Sequence, residues 1–349
     1  MSLEQAMLAL EGLSTGDAFG EQLLHAGPAT RQLALGERTA ALPGARRWMW
    51  TDDTAMAVSI VETLALHDGI DVDDLARRFA NRYVAEPARG YGRGAHHVLA
   101  ELAQGVPWEI AARSVFDGQG SCGNGGGMRS APVGAYFCTD LVAAAEHAAR
   151  SAAPTHAHPD GVAGAVAVAI AAARVFAGER DPRALLEAVV AHTPSGPTRD
   201  GVRRAIALVG AEPITAAAEL GNGSRVLAAD TIPFAIWCAA TNLENKSGEG
   251  PTRSAAEGGA KVDKSGEGPT RSAAEGGAKV DKSGEGPPRS AAEGGAKVNA
   301  YAYANALWSC ASVGGDIDTT CAMAGGIIVG AVGLAGIPAA WRAAREPLP

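Results

Sequence analysis

A chain of 349 residues with 30 Lys and Arg against 38 Asp and Glu carries a formal charge of -8, so it lacks the basic face on which nucleic-acid binding depends. Apolar residues at 47% and charged residues at 19% are enough to build a core and exclude disorder for the chain as a whole. Glycine, at 45 residues, has roughly twice its usual share, while aromatics make up 5%, a balance that points to tight turns and close helix contacts.

Leu3 to Leu13 opens the chain with apolar residues at helical spacing. Gly16-Asp17-Ala18-Phe19-Gly20-Glu21 follows, readable as a turn after that helix or as two acids placed for general acid or base work. Thr51-Asp52-Asp53-Thr54 then precedes Met56, Ile60, Val61 and Leu64, whose spacing predicts an amphipathic helix with good N-cap residues and a stop at Gly69. The same pattern returns at Asp73 to Tyr83, Ala95 to Leu102, Leu141 to Ser151, Gly161 to Phe176 and Ala184 to Ala191. Short helices joined by Gly/Pro-rich loops, with no alternating strand pattern between them, predict an all-α fold.

Two loops carry further chemistry. Gly120-Ser121-Cys122-Gly123-Asn124-Gly125-Gly126-Gly127-Met128-Arg129 does not match GxGxxG and follows no strand, so a dinucleotide fold is unsupported. A flexible connector and a nest of backbone N–H groups around a phosphate both fit it. In Thr155-His156-Ala157-His158-Pro159-Asp160, two histidines without a third His or Cys do not make a zinc site, and donation by one of them to a phosphate or ribose hydroxyl fits as well.

From Lys246 to Asn299 the chain runs through three near-copies of an 18-residue unit, KSGEGPTRSAAEGGAKVD, the third changed to KSGEGPPRSAAEGGAKVN. One valine per copy, with no aromatic residue, cannot offset the entropy of ordering the backbone, so 246–299 reads as a flexible insertion into a single domain formed by 1–245 and 300–349. Its removal is expected to leave the fold and activity nearly unchanged.

Beyond Gly314-Gly315 stands a second acidic cluster, Asp316-Ile317-Asp318-Thr319-Thr320. The uncharged stretch from Cys321 to Trp341 then reads as a buried core helix and not a bilayer span, because Gly325, Gly326, Gly330, Gly333, Gly336 and Pro338 dilute its hydropathy. The five cysteines are odd in number, far apart and without CxxC spacing, and no charged-then-apolar leader opens the chain. A reduced, cytoplasmic setting with no membrane attachment is therefore expected.

Both acidic clusters stand where an apolar helix begins. Capping needs one such residue per helix, and here each cluster brings two carboxylates and at least two hydroxyls. Four carboxylates would balance two divalent cations if the clusters meet, and all-oxygen donors suit Mg²⁺ or Mn²⁺ over zinc. Spacing alone leaves capping and metal binding both open.

The order GDAFG, TDDT, GSCGNGGGMR, THAHP and GGDIDTT resembles the ADP-ribosylglycohydrolase family, from about Gly12 to Trp341 with the repeats set aside. The resemblance implies a compact all-α domain with a dinuclear Mg²⁺ cleft that hydrolyses the glycosidic bond between ADP-ribose and an acceptor, on a protein side chain or a small molecule. By the same resemblance Thr51, Asp52, Asp53, Asp316, Asp318 and Thr319 are the metal ligands. Ser121, Gly123, Asn124, Gly125, Gly126, Gly127 and Met128 wrap the diphosphate and ribose, and His156 contacts bound ADP-ribose. Glu21, Asp53 and Asp318 are the candidates for the chemistry, with either Glu21 reaching the site or a metal-bound water doing more of the work. Relatives place a glutamate where this chain has Leu24, with Glu21 less than one turn earlier. That departure motivates a second reading, a binding module that keeps the pocket without turnover, and a third is a metal phosphohydrolase acting on the diphosphate.

Overall fold

A computed structural model describes residues 1–38, 47–243 and 291–349, with the backbone alone for 291–300. Helices α1 (Leu3–His25), α2 (Pro28–Glu37), α3 (Asp52–His67), α4 (Val72–Ala85), α5 (Arg93–Ala103) and α6 (Trp108–Ala111) form the first third. The middle holds α7 (Gly125–Met128), α8 (Ala131–Tyr136), α9 (Leu141–Ala152), α10 (Pro159–Phe176), α11 (Pro182–His192), α12 (Pro197–Ala207), α13 (Pro213–Leu220) and α14 (Ala228–Thr241). The chain ends with α15 (Ala291–Ala311), α16 (Ile317–Val332), a 3₁₀ turn at Leu334–Gly336 and α17 (Ala339–Ala344). Among the described residues the extended pairings are two isolated bridges, Trp48 with Arg345 and Gly123 with Leu227, so the fold is all-α as expected.

The starts of these helices are written locally. Side chains of Thr51, Asp71, Asp140, His158 and Asp181 accept backbone N–H groups at the starts of α3, α4, α9, α10 and α11, and prolines open α2, α10, α11, α12 and α13 where a missing N–H costs nothing. The stop of α3 differs from expectation by one residue. Asp68 adopts the left-handed conformation (φ 54°) and ends the helix, its carboxylate held by the Tyr136 hydroxyl at 3.1 Å. Gly69 matters for another reason: a Cβ there would meet the His147 ring at 2.7 Å, and that ring accepts the N–H of Ile70.

At the centre, α10, α14 and α16 are apolar on nearly every side, and α1 packs along α16 for much of its length. Among the described residues, α10 is the helix long and apolar enough to cross a bilayer, and 78% of it is buried inside the protein. Its Ala-rich sequence is that of a core helix, whose small side chains let neighbours approach on all sides.

Two expected elements change shape. Helix α1 does not stop at Leu13; it continues through the GDAFG segment to His25, because Gly12, Gly16 and Gly20 form one stripe of small residues against α16 instead of a turn. The segment from Cys321 to Trp341 is buried as expected over α16, yet it is not one helix: Gly333 at φ 65° ends it, and Pro338 opens α17. Most of the repeat insertion lies outside the described residues. Its last residues, from Ala291, belong to α15, which packs against α14.

Candidate active site

Asp17 is the residue from which the site is built. It lies on α1 with no exposed surface, and its two carboxylate oxygens take four donors from the start of α3. Oδ2 accepts from the Thr51 N–H at 2.9 Å, the Thr54 N–H at 3.1 Å and the Thr54 hydroxyl at 2.6 Å, and Oδ1 lies 2.9 Å from the Thr51 hydroxyl. A carboxylate from a different helix thus takes the Thr51 and Thr54 N–H groups at the start of α3, while Asp52 N–H donates to Arg89 O, and the turn that carries Asp52 and Asp53 is held in place. Burial pushes the Asp17 carboxyl up to about 7, against the pull of these hydrogen bonds.

The Thr51 hydroxyl accepts the Asp53 N–H and stands 3.1 Å from Asp53 Oδ2 as well as beside Asp17. One hydroxyl proton cannot serve both carboxylates, so the cluster is short of positive charge. The second acidic segment joins it here. Thr319 Oγ1 lies 3.5 Å from Asp53 Oδ2, across 266 positions of sequence. The carboxyls of Asp52 and Asp53 are raised well above the usual range by burial and then by Asp17 and Asp318, and Asp316 is raised to about 8 by burial and Asp318.

The capping explanation accounts for Thr51 but not for Asp316. Asp316 occupies the N-cap position of α16 without a side-chain cap, and its Oδ2 instead accepts the Asn124 amide at 2.6 Å. Asn124 also donates to Thr231 at 3.1 Å, so the glycine-rich loop is tied to the acidic cluster through one amide. The loop is anchored on its far side too, where Asn124 N–H donates to Val226 O and Ala228 N–H to Cys122 O. Gly125 and Gly126 leave room for His156: a Cβ on Gly125 would stand 3.1 Å from its ring, and one on Gly126 3.6 Å.

Among the described residues no three acidic, histidine or cysteine side chains are grouped closely enough to hold a metal ion as they are placed. Other features fit a hard cation. Asp53 Oδ1 and Asp318 Oδ1 are buried oxygens with no hydrogen-bond partner, several carboxylates crowd one buried space, and every candidate donor is oxygen. An unpaired buried acceptor costs on the order of 1–3 kcal/mol, more when charged, so these two oxygens mark where positive charge would be accommodated.

Glu21 sits one turn beyond Asp17 on α1. Its Oε1 accepts from His25 Nε2 at 2.8 Å, its side chain is 23% exposed, and burial raises its carboxyl, with Asp318 adding to the rise and His25 opposing it. It thus borders the acidic cluster from the solvent side. The two histidines of the THAHP segment part company: His156 is buried against the glycine loop, and His158 Nδ1 accepts the Asp160 N–H and caps α10.

The profile of one family, described as ADP-ribosylglycohydrolase, matches residues 2–347. The chain belongs to the ADP-ribosylglycohydrolase family. ADP-ribosylhydrolase ARH3 of Xenopus tropicalis is 32% identical over 213 residues, which is 54% of this chain and 59% of that protein. The Homo sapiens protein of the same name is 31% identical over 225 residues, covering 58% and 60%. The match therefore spans about three fifths of the length of these curated relatives. A solved structure described as an ADP-ribosylglycohydrolase-related protein complex agrees in fold, with a TM-score of 0.56 at 20% identity over 99% of this chain and 93% of that one.

Within this family member, the residues expected from the sequence fall into one region. Thr51, Asp52, Asp53, Asp316, Asp318 and Thr319 converge, Asn124 links them to the loop 120–127, and His156 lies under that loop. The sequence reading named Asp17 only as an acid or base candidate, and its role as the anchor of α3 was missed. A Gly every four residues around it was the available signal, since that spacing belongs on one face of a continuing helix. Arg129, 1% exposed behind Asp52 and Asp53, was named only as the end of the glycine-rich run, with no role given to it.

Proposed function

We propose that this chain hydrolyses the glycosidic bond joining ADP-ribose to an acceptor, with two Mg²⁺ ions held by Thr51, Asp52 and Asp53 on one side and Asp316, Asp318 and Thr319 on the other. The approach of Thr319 to Asp53, beside a glycine loop bound to Asp316 through Asn124, is the observation that carries the reading. That approach sets the two acidic segments side by side, next to a glycine-rich loop whose backbone N–H groups would suit a diphosphate.

When bound, Mg²⁺ would supply hard positive charge that orients ribose hydroxyls and a water. The protein's own groups do the rest. Cleavage at the anomeric carbon develops oxocarbenium character, which Asp53 and Asp318 stabilise from the flank. Glu21, at the rim of the cluster with a raised carboxyl, is placed to exchange a proton with the leaving acceptor or the attacking water. The loop from Ser121 to Met128 and His156 position the ADP-ribose so that the reacting carbon meets the carboxylates.

Incubation with ADP-ribosyl-serine, ADP-ribosyl-arginine and other ADP-ribosyl conjugates in Mg²⁺ is the direct test, and free ADP-ribose is the expected product. Release of AMP would make the protein a phosphohydrolase, and saturable binding without product would make it a binding module. Glu21→Gln keeps the shape of the side chain and its contact with His25 while removing the ionisable group. Its turnover is expected to fall by about 10²-fold or more, with little change in ADP-ribose affinity. A wild-type rate in that variant would pass the proton-transfer role to another group.

A further inference from the structure

Arg129 is a cation sealed in the interior. Its guanidinium lies 4.6 Å over the Phe79 ring, and Nη2 donates to Ser151 O at 3.1 Å and to Thr155 Oγ1 at 2.7 Å. Burial pulls it down to about 9, which still leaves it charged at neutral pH, and a guanidinium can only donate. The Thr155 oxygen is therefore an acceptor toward Arg129, and its single proton must go elsewhere. Two acceptors are in reach: His156 Nδ1 at 2.8 Å and Ala152 O at 3.5 Å. The shorter contact wins, because 3.5 Å is beyond the usual range for O–H···O.

His156 Nδ1 then accepts, which leaves the ring proton on Nε2. Among the described residues the ring's one hydrogen bond is at Nδ1, and its Nε2 edge faces the glycine loop, where Cβ atoms on Gly125 and Gly123 would stand 3.4 and 3.8 Å from it. Burial and the charge of Arg129 push the imidazole down to about 3, so it is neutral near pH 7.

We infer that Arg129 and Thr155 are positioning residues that hold His156 as the neutral Nε2–H tautomer, so that the ring presents a fixed donor to an oxygen of the diphosphate or ribose in the glycine loop. The inference rests on the proposed ADP-ribose site for its ligand, not for the tautomer itself. A neutral imidazole free to choose would spend part of its time with Nε2 as an acceptor, facing an oxygen lone pair. The chain Arg129 to Thr155 to His156 removes that choice with two hydrogen bonds, and it explains a fully buried arginine that touches no carboxylate directly.

Long-range ¹H–¹⁵N spectra of the full chain labelled at histidine read the tautomer without ligand or turnover, and the signals absent from His156→Gln identify the ring. The wild type is expected to show protonated Nε2 and unprotonated Nδ1 at pH 7. Thr155→Val should release the ring to a mixture of tautomers and weaken ADP-ribose binding by about tenfold, the loss of one oriented charge-assisted contact. Thr155→Ser should restore both. A wild-type ring protonated on Nδ1, or on both nitrogens, would overturn the inference, as would a pure Nε2–H ring in Thr155→Val. Should that variant fail to fold, the wild-type and Thr155→Ser spectra still decide. A wild-type ring in the stated tautomer with no affinity for ADP-ribose would leave the relay standing and remove the functional reading.

Discussion

Asp318→Ala is expected to abolish turnover, by at least about 10²–10³-fold, while leaving the metal-free protein as stable as the wild type or more so. The two effects have opposite signs for one reason. Asp318 raises the carboxyls of Asp17, Asp52, Asp53 and Asp316, and its own Oδ1 is buried without a partner. A residue retained only for stability would not add negative charge to a buried group of acids. Removing it relieves repulsion and one unsatisfied acceptor, each on the order of 1 kcal/mol or more. What is lost is the charge that would help hold Mg²⁺ and face the reacting carbon.

Thermal melts with and without Mg²⁺ read both halves. The wild type should gain stability as Mg²⁺ is added, since a ligand bound to the native state alone shifts the unfolding equilibrium by mass action. Asp318→Ala should lose that gain together with turnover. Asp52→Ala is expected to behave in the same way, because its carboxyl shares the same neighbours. Wild-type turnover in either variant, or an unchanged response to Mg²⁺, would dismiss these residues as ligands.

The division between what could be read from the residues and what could not follows the range of the interactions. Helices with apolar residues at spacings of three and four are found where expected: Asp73 to Tyr83 lies inside α4, Leu141 to Ser151 inside α9 and Gly161 to Phe176 inside α10. Their caps are local, and local chemistry is legible. The two acidic clusters were visible for the same reason, each being a short run of unusual composition. Their meeting was not, because the 266 positions between Asp53 and Thr319 are closed by packing of α1, α3 and α16, and no spacing rule reports tertiary distance. The family resemblance supplied that step. The role of Arg129 was lost for the complementary reason: arginine is seldom fully buried, and only the fold places its guanidinium over the Phe79 ring with Thr155 and Ser151 as acceptors. His156 and His158 are identical by sequence logic, and what separates them is that one ring caps a helix while the other is wedged beneath the loop.

Gly16→Ala is expected to destabilise the fold by about 2–3 kcal/mol, although alanine is the better helix former by roughly 1 kcal/mol. Gly12, Gly16 and Gly20 follow one another at intervals of four on α1, so they lie along a single stripe. A Cβ on Gly16 would fall onto the backbone carbonyl of Cys321, one on Gly20 onto the backbone of Asp318, and one on Gly12 would meet Gly325 O at 2.5 Å. Backbone atoms of a central helix cannot rotate aside as a side chain can. The overlap must be relieved by moving α1 away from α16, which loses contact along both helices, and that cost exceeds the propensity gain. Gly36→Ala isolates the propensity term, since Gly36 also lies within a helix and its Cβ would meet nothing within 4 Å. That control is expected to hold or raise the midpoint of denaturant unfolding while Gly16→Ala lowers it. The separation should also reach the site, because α1 carries Asp17, which fixes the start of α3, and α16 carries Asp318. Turnover at a temperature where Gly16→Ala is still folded is therefore expected to fall more than its stability loss accounts for. A midpoint equal to that of the Gly36→Ala control would mean that the two helices have room to spare, and the stripe of glycines would then have no part in holding the acidic clusters together.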